Sequence, residues 1–343
     1  MRSHWTTFLT VVFLAGPAAA APLDMQAVND AQWGQSRPAK NQASPILIKA
    51  QTLLDRARFS PGEIDGKLGD NFRKALTAFA VNQGLNSTDE LTEEVWRELT
   101  ATNSVPVLTE YTISDEDMRG PFAKSIPAGL EKMKELPFLG YTSAREKIAE
   151  KFHMSQGLLQ ALNRGKKFQT AGEKIAVANI AAGDLPEKAN RIEVDKSAQV
   201  LKVLGRDEKL LAVYPATIGS VEKPAPSGRL TITGVSRNPT YRYNPKYAFK
   251  EVHTTKPFTI KPGPNNPVGV VWIGLSGEGY GIHGTPDPSK IGKTESHGCV
   301  RLTNWDALRL ASAVAKGIPV DFSGNEQAGR EATAGMARKR KHR

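Results

Sequence analysis

Cysteine is almost missing from this chain: Cys299 is the only one in 343 residues. A lone cysteine excludes an intramolecular disulfide, so no covalent staple contributes to the fold. Apolar runs of membrane length are also missing after residue 21, which excludes an ordinary spanning helix from the rest of the chain. Acidic residues fall short of basic ones, 35 against 46, for a formal charge of +11. That balance favours an anionic partner and says little about fold. One short apolar run, residues 8–15, follows a basic stretch at Arg2 and His4 and precedes Ala18-Ala19-Ala20-Ala21, an A-x-A cleavage pattern. Residues 1–21 are therefore expected to be a secretory signal peptide, the alternative being an uncleaved anchor that is short for a membrane. Export sharpens the meaning of the cysteine count. Oxidising compartments pair structural cysteines, and a thiol left unpaired there is better explained by chemistry than by packing. After export, the anionic partner is expected to be wall polymer or membrane surface, not nucleic acid.

What is present concentrates in residues 280–302, Y-G-I-H-G-T-P-D-P-S-K-I-G-K-T-E-S-H-G-C-V-R-L, which hold the cysteine and two of six histidines. A thiol attacks as its thiolate, so it needs a neighbour to take the proton and donors for the oxyanion formed on the substrate. His283 and His297 are candidates for the first role. Gly298, before Cys299, lets a carbonyl approach backbone N–H groups. Two other readings stay open, a buried, inert thiol and a zinc site using His283, His297 and Cys299, which lacks a fourth ligand at metal-like spacing; a third would be a dinucleotide fingerprint in Gly279, Gly281 and Gly284. The last fails on context, because Thr285-Pro286-Asp287-Pro288 follows where a helix should start.

The pattern H-G-T followed by S-H-G-C-V-R-L resembles the signature of the L,D-transpeptidases, the YkuD-type catalytic domain that remodels bacterial peptidoglycan. N-P-V-G at 266–269, the strand with Trp272 and Ile273, and Asn304 also resemble that family. The resemblance implies that Cys299 is the acyl-accepting nucleophile and His283 its proton donor and acceptor. It further implies that the Gly284 carbonyl orients His283 and that His297 and Gly298 shape the oxyanion region. Arg301, Tyr280, Trp272 and Asn304 are the expected substrate-binding residues, Arg301 alternatively holding the motif loop through an ion pair. The implied reaction cleaves the diaminopimelate–D-Ala bond of a tetrapeptide stem and passes the acyl group to an amine, with no metal and no organic cofactor. Partners would be peptidoglycan stem peptides and glycan, with carbapenem β-lactams as covalent inhibitors, in the periplasm and at the cell wall. An L,D-carboxypeptidase or a non-catalytic peptidoglycan-binding scaffold are the alternatives.

The organisation read along the chain is multidomain α+β: a mostly β sandwich-like catalytic domain over 188–323, preceded by a small three-helix bundle and a LysM-like module. Residues 22–44 are polar and read as a linker. Residues 45–101 show helical periodicity at Leu47, Ala50, Leu54 and at Phe72, Leu76, Phe79, with Thr92 capping a third helix. F-S-P-G-E-I-D-G-K-L-G and R-K-A-L-x-A-F there resemble the peptidoglycan-binding domain, although Ala80 replaces the usual Gln. Residues 102–182 are a connector with a LysM-like module that starts at Y-T-S, residues 141–143, and carries two helices. From residue 188, short Val- and Ile-rich runs separated by turn residues read as strands, with one helix at 305–315. The segment 237–267, with Tyr241, Tyr243, Tyr247 and Phe249, is a long loop expected to cover the cleft or to pack on the sheet. Residues 324–343 form a basic tail expected to be disordered.

Overall fold

The computed structural model describes residues 23–35, 41–101, 104–180, 183–220, 223–247, 249, 252–294, 296 and 298–325. The expected signal peptide, most of the expected basic tail, and His297 lie outside them. The expected 22–44 linker is corrected in part. Asp24 accepts from the Ala27 N–H at 2.8 Å and starts helix α1 (Met25–Asn29), with Val28 and Ala31 buried. Five residues are too few to show a helical period, and the anchor is distant in sequence: Lys49 Nζ donates to the carbonyls of Asn29 and Ala31 at 2.8 and 2.9 Å.

Three helices follow, α2 (Pro45–Arg56), α3 (Asp70–Asn82) and α4 (Glu93–Ala101). Pro45 suits the first turn of α2 because its missing N–H would have no partner there. Buried Gln51 shapes the turn between α2 and α3, its Oε1 accepting from the N–H groups of Asp65 and Gly66 at 3.0 and 2.7 Å. Strand β1 (Leu108–Thr112), short helices α5 (Asp115–Met118) and α6 (Leu130–Met133), helices α7 (Ala144–Lys151) and α8 (Gln156–Leu162), and strand β2 (Lys174–Ala178) come next. β1 pairs antiparallel with β2, Leu108 opposite Ala178, so β1-α7-α8-β2 is one unit with residues 113–143 inserted after its first strand. The sequence reading started this unit at Tyr141 and missed both strands, because that insertion separates β1 from its helices. Leu54, Leu76 and Trp96 of the bundle and Val107, Ile148, Leu159 and Val177 of this unit belong to one buried core.

The remaining half is rich in β-structure: β3 (Arg191–Asp195), β4 (Val200–Leu204), β5 (Leu210–Pro215), β6 (Thr217–Ile218), β7 (Gly228–Arg237), β8 (Tyr241–Tyr243), β9 (Phe258–Ile260), β10 (Val271–Leu275), β11 (Gly281–His283), β12 (Val300–Arg301), helix α9 (Asn304–Ala313) and β13 (Pro319–Ser323). The main sheet runs β5-β4-β3-β13-β7-β10-β11-β12-β6. β7 pairs with β13 through residues 228–231 and with β10 through 232–237, so one long strand joins two sub-sheets. The outermost strands of that order, β5 and β6, are separated in sequence only by Ala216, so the sheet turns back on itself. The described fold is thus mixed α+β with a barrel- or sandwich-like sheet closed over a core of Ile192, Val203, Ile273, Ile282, Leu310 and Val320. Part of the expected 237–267 loop is a hairpin of β8 and β9, in which Tyr243 is buried and stacks on Phe258 at 4.9 Å.

The two halves meet across a buried polar seam. Asp55 at the end of α2 is fully buried; its carboxylate pairs with Arg309 of α9 at 3.1 Å and with Nδ1 of His153 at 2.9 Å. The His153 ring stacks on Trp305, 5.1 Å between centroids and 9° between planes. Ser60 donates to Asp306 at 2.8 Å, and Ser60 N–H donates to the Val213 carbonyl of β5 at 2.9 Å. Burial by itself would raise the Asp55 carboxyl; His153 and Arg309 outweigh it and hold it at about 2, against an ordinary 3.8. Burial lowers His153, so Arg309 supplies the lasting positive charge. Removing one partner of such a pair strands the other in the interior, at a cost of roughly 3–5 kcal/mol. Asp55→Ala is accordingly expected to lower the unfolding free energy, read from urea titration, by that order and the midpoint with it. Because the folded carboxyl is depressed, its contribution is complete above 3.8 and is lost as pH falls towards 2. The wild-type midpoint should drop across that window by more than the variant's does.

Candidate active site

Pairing of the last strands assembles the site. β11 and β12 run parallel with Ile282 opposite Val300 and His283 opposite Arg301. Trp272 of β10 lies opposite His283 and Ser236 of β7 opposite Trp272. Paired residues share a face and successive residues alternate. Ser236, Trp272, His283 and Arg301 therefore form a cross-strand row on one face, with Cys299, two residues before Arg301, beside it. Ile282 and Val300 point the other way into the core. The Trp272 ring stacks on His283, 5.5 Å between centroids at 17°. A Cβ on Gly281 would lie 2.5 Å from the same indole, so a small residue is required where the ring crosses β11.

His283 is buried, and its Nδ1 stands 2.7 Å from the Gly284 carbonyl oxygen. A carbonyl only accepts, so Nδ1 carries the hydrogen and Nε2 keeps the lone pair that can take a proton. Burial, with the Arg301 charge adding to it, lowers His283 to about 3 against the opposing Gly284 bond. Burial pushes the Cys299 thiol up, countered by a backbone hydrogen bond at Gly281 and by Arg301. The resting pair is consequently a neutral imidazole and a neutral thiol. Sγ donates to the Gly279 carbonyl at 3.7 Å. The motif loop is held from behind: Ser296 Oγ donates to the Cys299 carbonyl at 2.6 Å, and Ser296 N–H donates to the Gly219 carbonyl at 3.0 Å. Gly298 sits at φ +97°, left-handed backbone that favours glycine, and a Cβ there would come within 3.0 Å of the Tyr280 ring.

Cys299, His283, Arg301 and Trp272 line a cavity of about 510 Å³. Its other walls include Tyr241, Arg242 and Phe249 of the 237–267 segment, Lys223, and Leu130 of α6. The lining carries three cations, Lys223, Arg242 and Arg301, and no carboxylate among the described residues. Two expected substrate-binding residues are placed elsewhere. Asn304 is 2% exposed at the start of α9, beneath the Gly284 turn and outside the cavity lining, so its assignment to substrate contact is corrected to a position behind the site. Tyr280 packs over Gly298 at the rim and is not among the cavity-lining residues. No group of three possible metal ligands is found among the described residues, which exclude His297. Lys223, Arg242, Ser236 and Leu130 were not read from the sequence as site residues, since each comes from a different segment and none sits in a recognisable motif.

A parallel strand pair with a thiol and a carbonyl-oriented imidazole on the face of the sheet opposite the core is an arrangement suited to acyl transfer. The YkuD family, L,D-transpeptidase catalytic domain, matches residues 189–321. The chain belongs to the L,D-transpeptidase family. It is 35% identical over 183 residues to a protein of Bacillus licheniformis provisionally named L,D-transpeptidase YkuD, covering 52% of this chain and 92% of that one. To a Bacillus subtilis protein of the same provisional name it is 31% identical over 177 residues, covering 51% and 91%. A solved L,D-transpeptidase structure from Xylanimonas cellulosilytica gives a TM-score of 0.38 at 14% identity, over 83% of this chain and 97% of that chain.

The neutral resting pair generates a test. Alkylation of Cys299 by iodoacetamide, followed by mass spectrometry, should accelerate steadily with pH and reach half its maximum above 9.0, the ordinary thiol value, with no plateau near neutrality. Arg301 favours the thiolate, so Arg301→Gln should move that midpoint higher. A plateau beginning near neutral pH in the wild type would instead mean a resting thiolate–imidazolium pair.

Proposed function

We propose that this chain is an exported L,D-transpeptidase that works through an acyl-enzyme on Cys299. The observation that carries the reading is the cavity in which Cys299 and His283 meet three cations and, among the described residues, no carboxylate. A tetrapeptide stem brings carboxylates next to the bond to be cut, and an anionic substrate suits such a lining. Cys299 Sγ attacks the carbonyl carbon between diaminopimelate and the terminal D-Ala while its proton moves to His283 Nε2. The proton moves with the attack, because both groups are neutral beforehand. Collapse of the tetrahedral intermediate breaks the C–N bond, His283 returns the proton to the leaving D-Ala amine, and a thioester remains. An acceptor amine then attacks the thioester, loses its proton to His283, and Sγ leaves as the thiol once that proton is returned. Backbone N–H groups around Gly298 and Cys299, with His297, are the proposed oxyanion donors. The Gly284 carbonyl keeps the tautomer that makes Nε2 basic.

Water competes with the amine for the thioester, and only positioning overcomes it, with effective molarities that reach roughly 10⁵–10⁸ M. Tyr241 and Phe249 line the same cavity as the thiol and supply apolar surface to it, which supports transfer to an amine over hydrolysis. A carbapenem offers a strained acyl carbonyl of the same kind and is expected to acylate Cys299 alone. Residues 45–182 are proposed to bring the catalytic half to the wall. Among the described residues no helix is long and apolar enough to cross a membrane.

Given disaccharide-tetrapeptide, the full chain should release D-Ala and form a dimer joined between the third residues of two stems, followed by liquid chromatography and mass spectrometry. Cys299→Ala should form neither product nor carbapenem adduct, and His283→Ala should slow the reaction by roughly 10²–10⁴-fold, the usual worth of a general base. Tripeptide and D-Ala without dimer would replace this reading with an L,D-carboxypeptidase.

A further inference from the structure

Asn304 is wedged behind the catalytic histidine. A Cβ built on Gly284 would lie 2.3 Å from Asn304 Oδ1, and one on Gly269 would lie 2.1 Å from it, so the amide fills the space that both glycines leave. Oδ1 also accepts from the Val270 N–H at 3.3 Å. The side chain thus braces the turn whose carbonyl at Gly284 orients His283. What orients Asn304 comes from outside the catalytic half. Its Nδ2 donates to Glu150 Oε2 and Oε1 at 3.1 and 3.3 Å and to the Pro264 carbonyl at 3.2 Å. Glu150 stands near the end of α7 in the accessory β-α-α-β unit. Pro264 is tied to the same unit, since its neighbour Asn265 donates to the Gly140 carbonyl at 2.9 Å and to Glu146 Oε1 at 2.8 Å. A Cβ on Gly263 would lie 2.2 Å from the Leu139 carbonyl, so the two backbones touch there.

We infer that Glu150 is a positioning residue for His283, acting through Asn304 and the Gly284 turn, so that the accessory unit completes the catalytic site. The inference rests on the reading of His283 as the proton carrier for Cys299. Glu150 is faced by Tyr141, Glu146, Glu63 and Asn304, and burial, helped by the neighbouring carboxylates, pushes its carboxyl up to about 8. At neutral pH it is largely the neutral acid, and its carbonyl oxygen accepts from Asn304 as the carboxylate would. Glutamine reproduces that neutral shape and acceptor.

The experiment compares full-length wild type, Glu150→Ala and Glu150→Gln. The first readout is the tautomer of His283, from long-range ¹H–¹⁵N correlation spectra, with His283→Ala identifying the signal. The second is the rate of Cys299 acylation by a carbapenem. Wild type and Glu150→Gln should show a single Nδ1–H form and similar rates. Glu150→Ala should show mixed tautomers and acylation slowed by roughly tenfold or more, since misplacement of about 1 Å costs on the order of 10²-fold. Should Glu150→Ala not fold, Glu150→Asp, which withdraws the carboxyl by one methylene, takes its place with the same expectation. Asp117→Ala, which removes the α5 capping box and the Lys151 ion pair in the same unit without touching Asn304, should leave both readouts unchanged. A single Nδ1–H form and a wild-type rate in the alanine or aspartate variant would overturn the inference, as would failure of glutamine to restore them. The tautomer is read without peptidoglycan. A wild type that carbapenem does not acylate therefore defeats the acyl-enzyme reading while the tautomer comparison still decides this one.

Discussion

A carboxylate with no water around it has to be paired, and the burial of Asp55 imposes that demand on three separate elements at once. It requires Arg309 of α9 on one side and the His153 ring on the other, and His153 is in turn stacked on Trp305. Apolar packing tolerates small slides between surfaces, whereas a buried ion pair with hydrogen-bond geometry does not. The seam therefore sets the docking of α2, of the turn after α7, and of α9 in one register. Everything at the start of α9, including Asp306 under Ser60 and Asn304 under Gly284, inherits its place from that register.

His283, the proposed proton carrier, shows the opposite use of burial. Enclosure between Trp272 and the Gly284 turn gives His283 one orientation and one tautomer, and the same enclosure lowers its basicity to about 3. Arg301 lowers it further while favouring the thiolate on Cys299, so its charge partly cancels in the transfer of a proton between the two. The pair is suited to a proton that travels only when the substrate carbonyl arrives, which leaves the thiol in its less reactive form at rest.

Contributions to the cleft come from both sides of the seam. Leu130 belongs to the 113–143 insertion and lines the same cavity as Cys299, while Glu131 next to it accepts from the N–H groups of His253 and Thr254 in the segment that carries Phe249. Residues before the catalytic half thus supply part of the cavity wall, in addition to carrying the segments whose sequence resembles wall-binding modules.

Much was legible in the sequence because it is local. The lone thiol, the H-G-T and S-H-G-C-V-R-L runs, the periodicity of α2 and α3 and the short Val- and Ile-rich runs of β3 and β4 each lie within a few residues, and strand or helix preference follows from local backbone geometry. What stayed hidden depended on pairing between distant segments. α1 was missed because Lys49 holds it, β1 because its partner β2 lies beyond a long insertion, and Asn304 was misplaced because a conspicuous polar residue after a motif does not reveal which face of a helix it will occupy. Glu150 carried no signal, since its meaning arises only when α7 meets the start of α9. By itself the sequence determined the family and singled out the candidate reacting groups, because chemistry needs particular side chains at particular spacing. The tertiary structure alone decided which neutral or charged form those groups hold and what braces them, because desolvation and hydrogen bonding are properties of the neighbours that folding brings together.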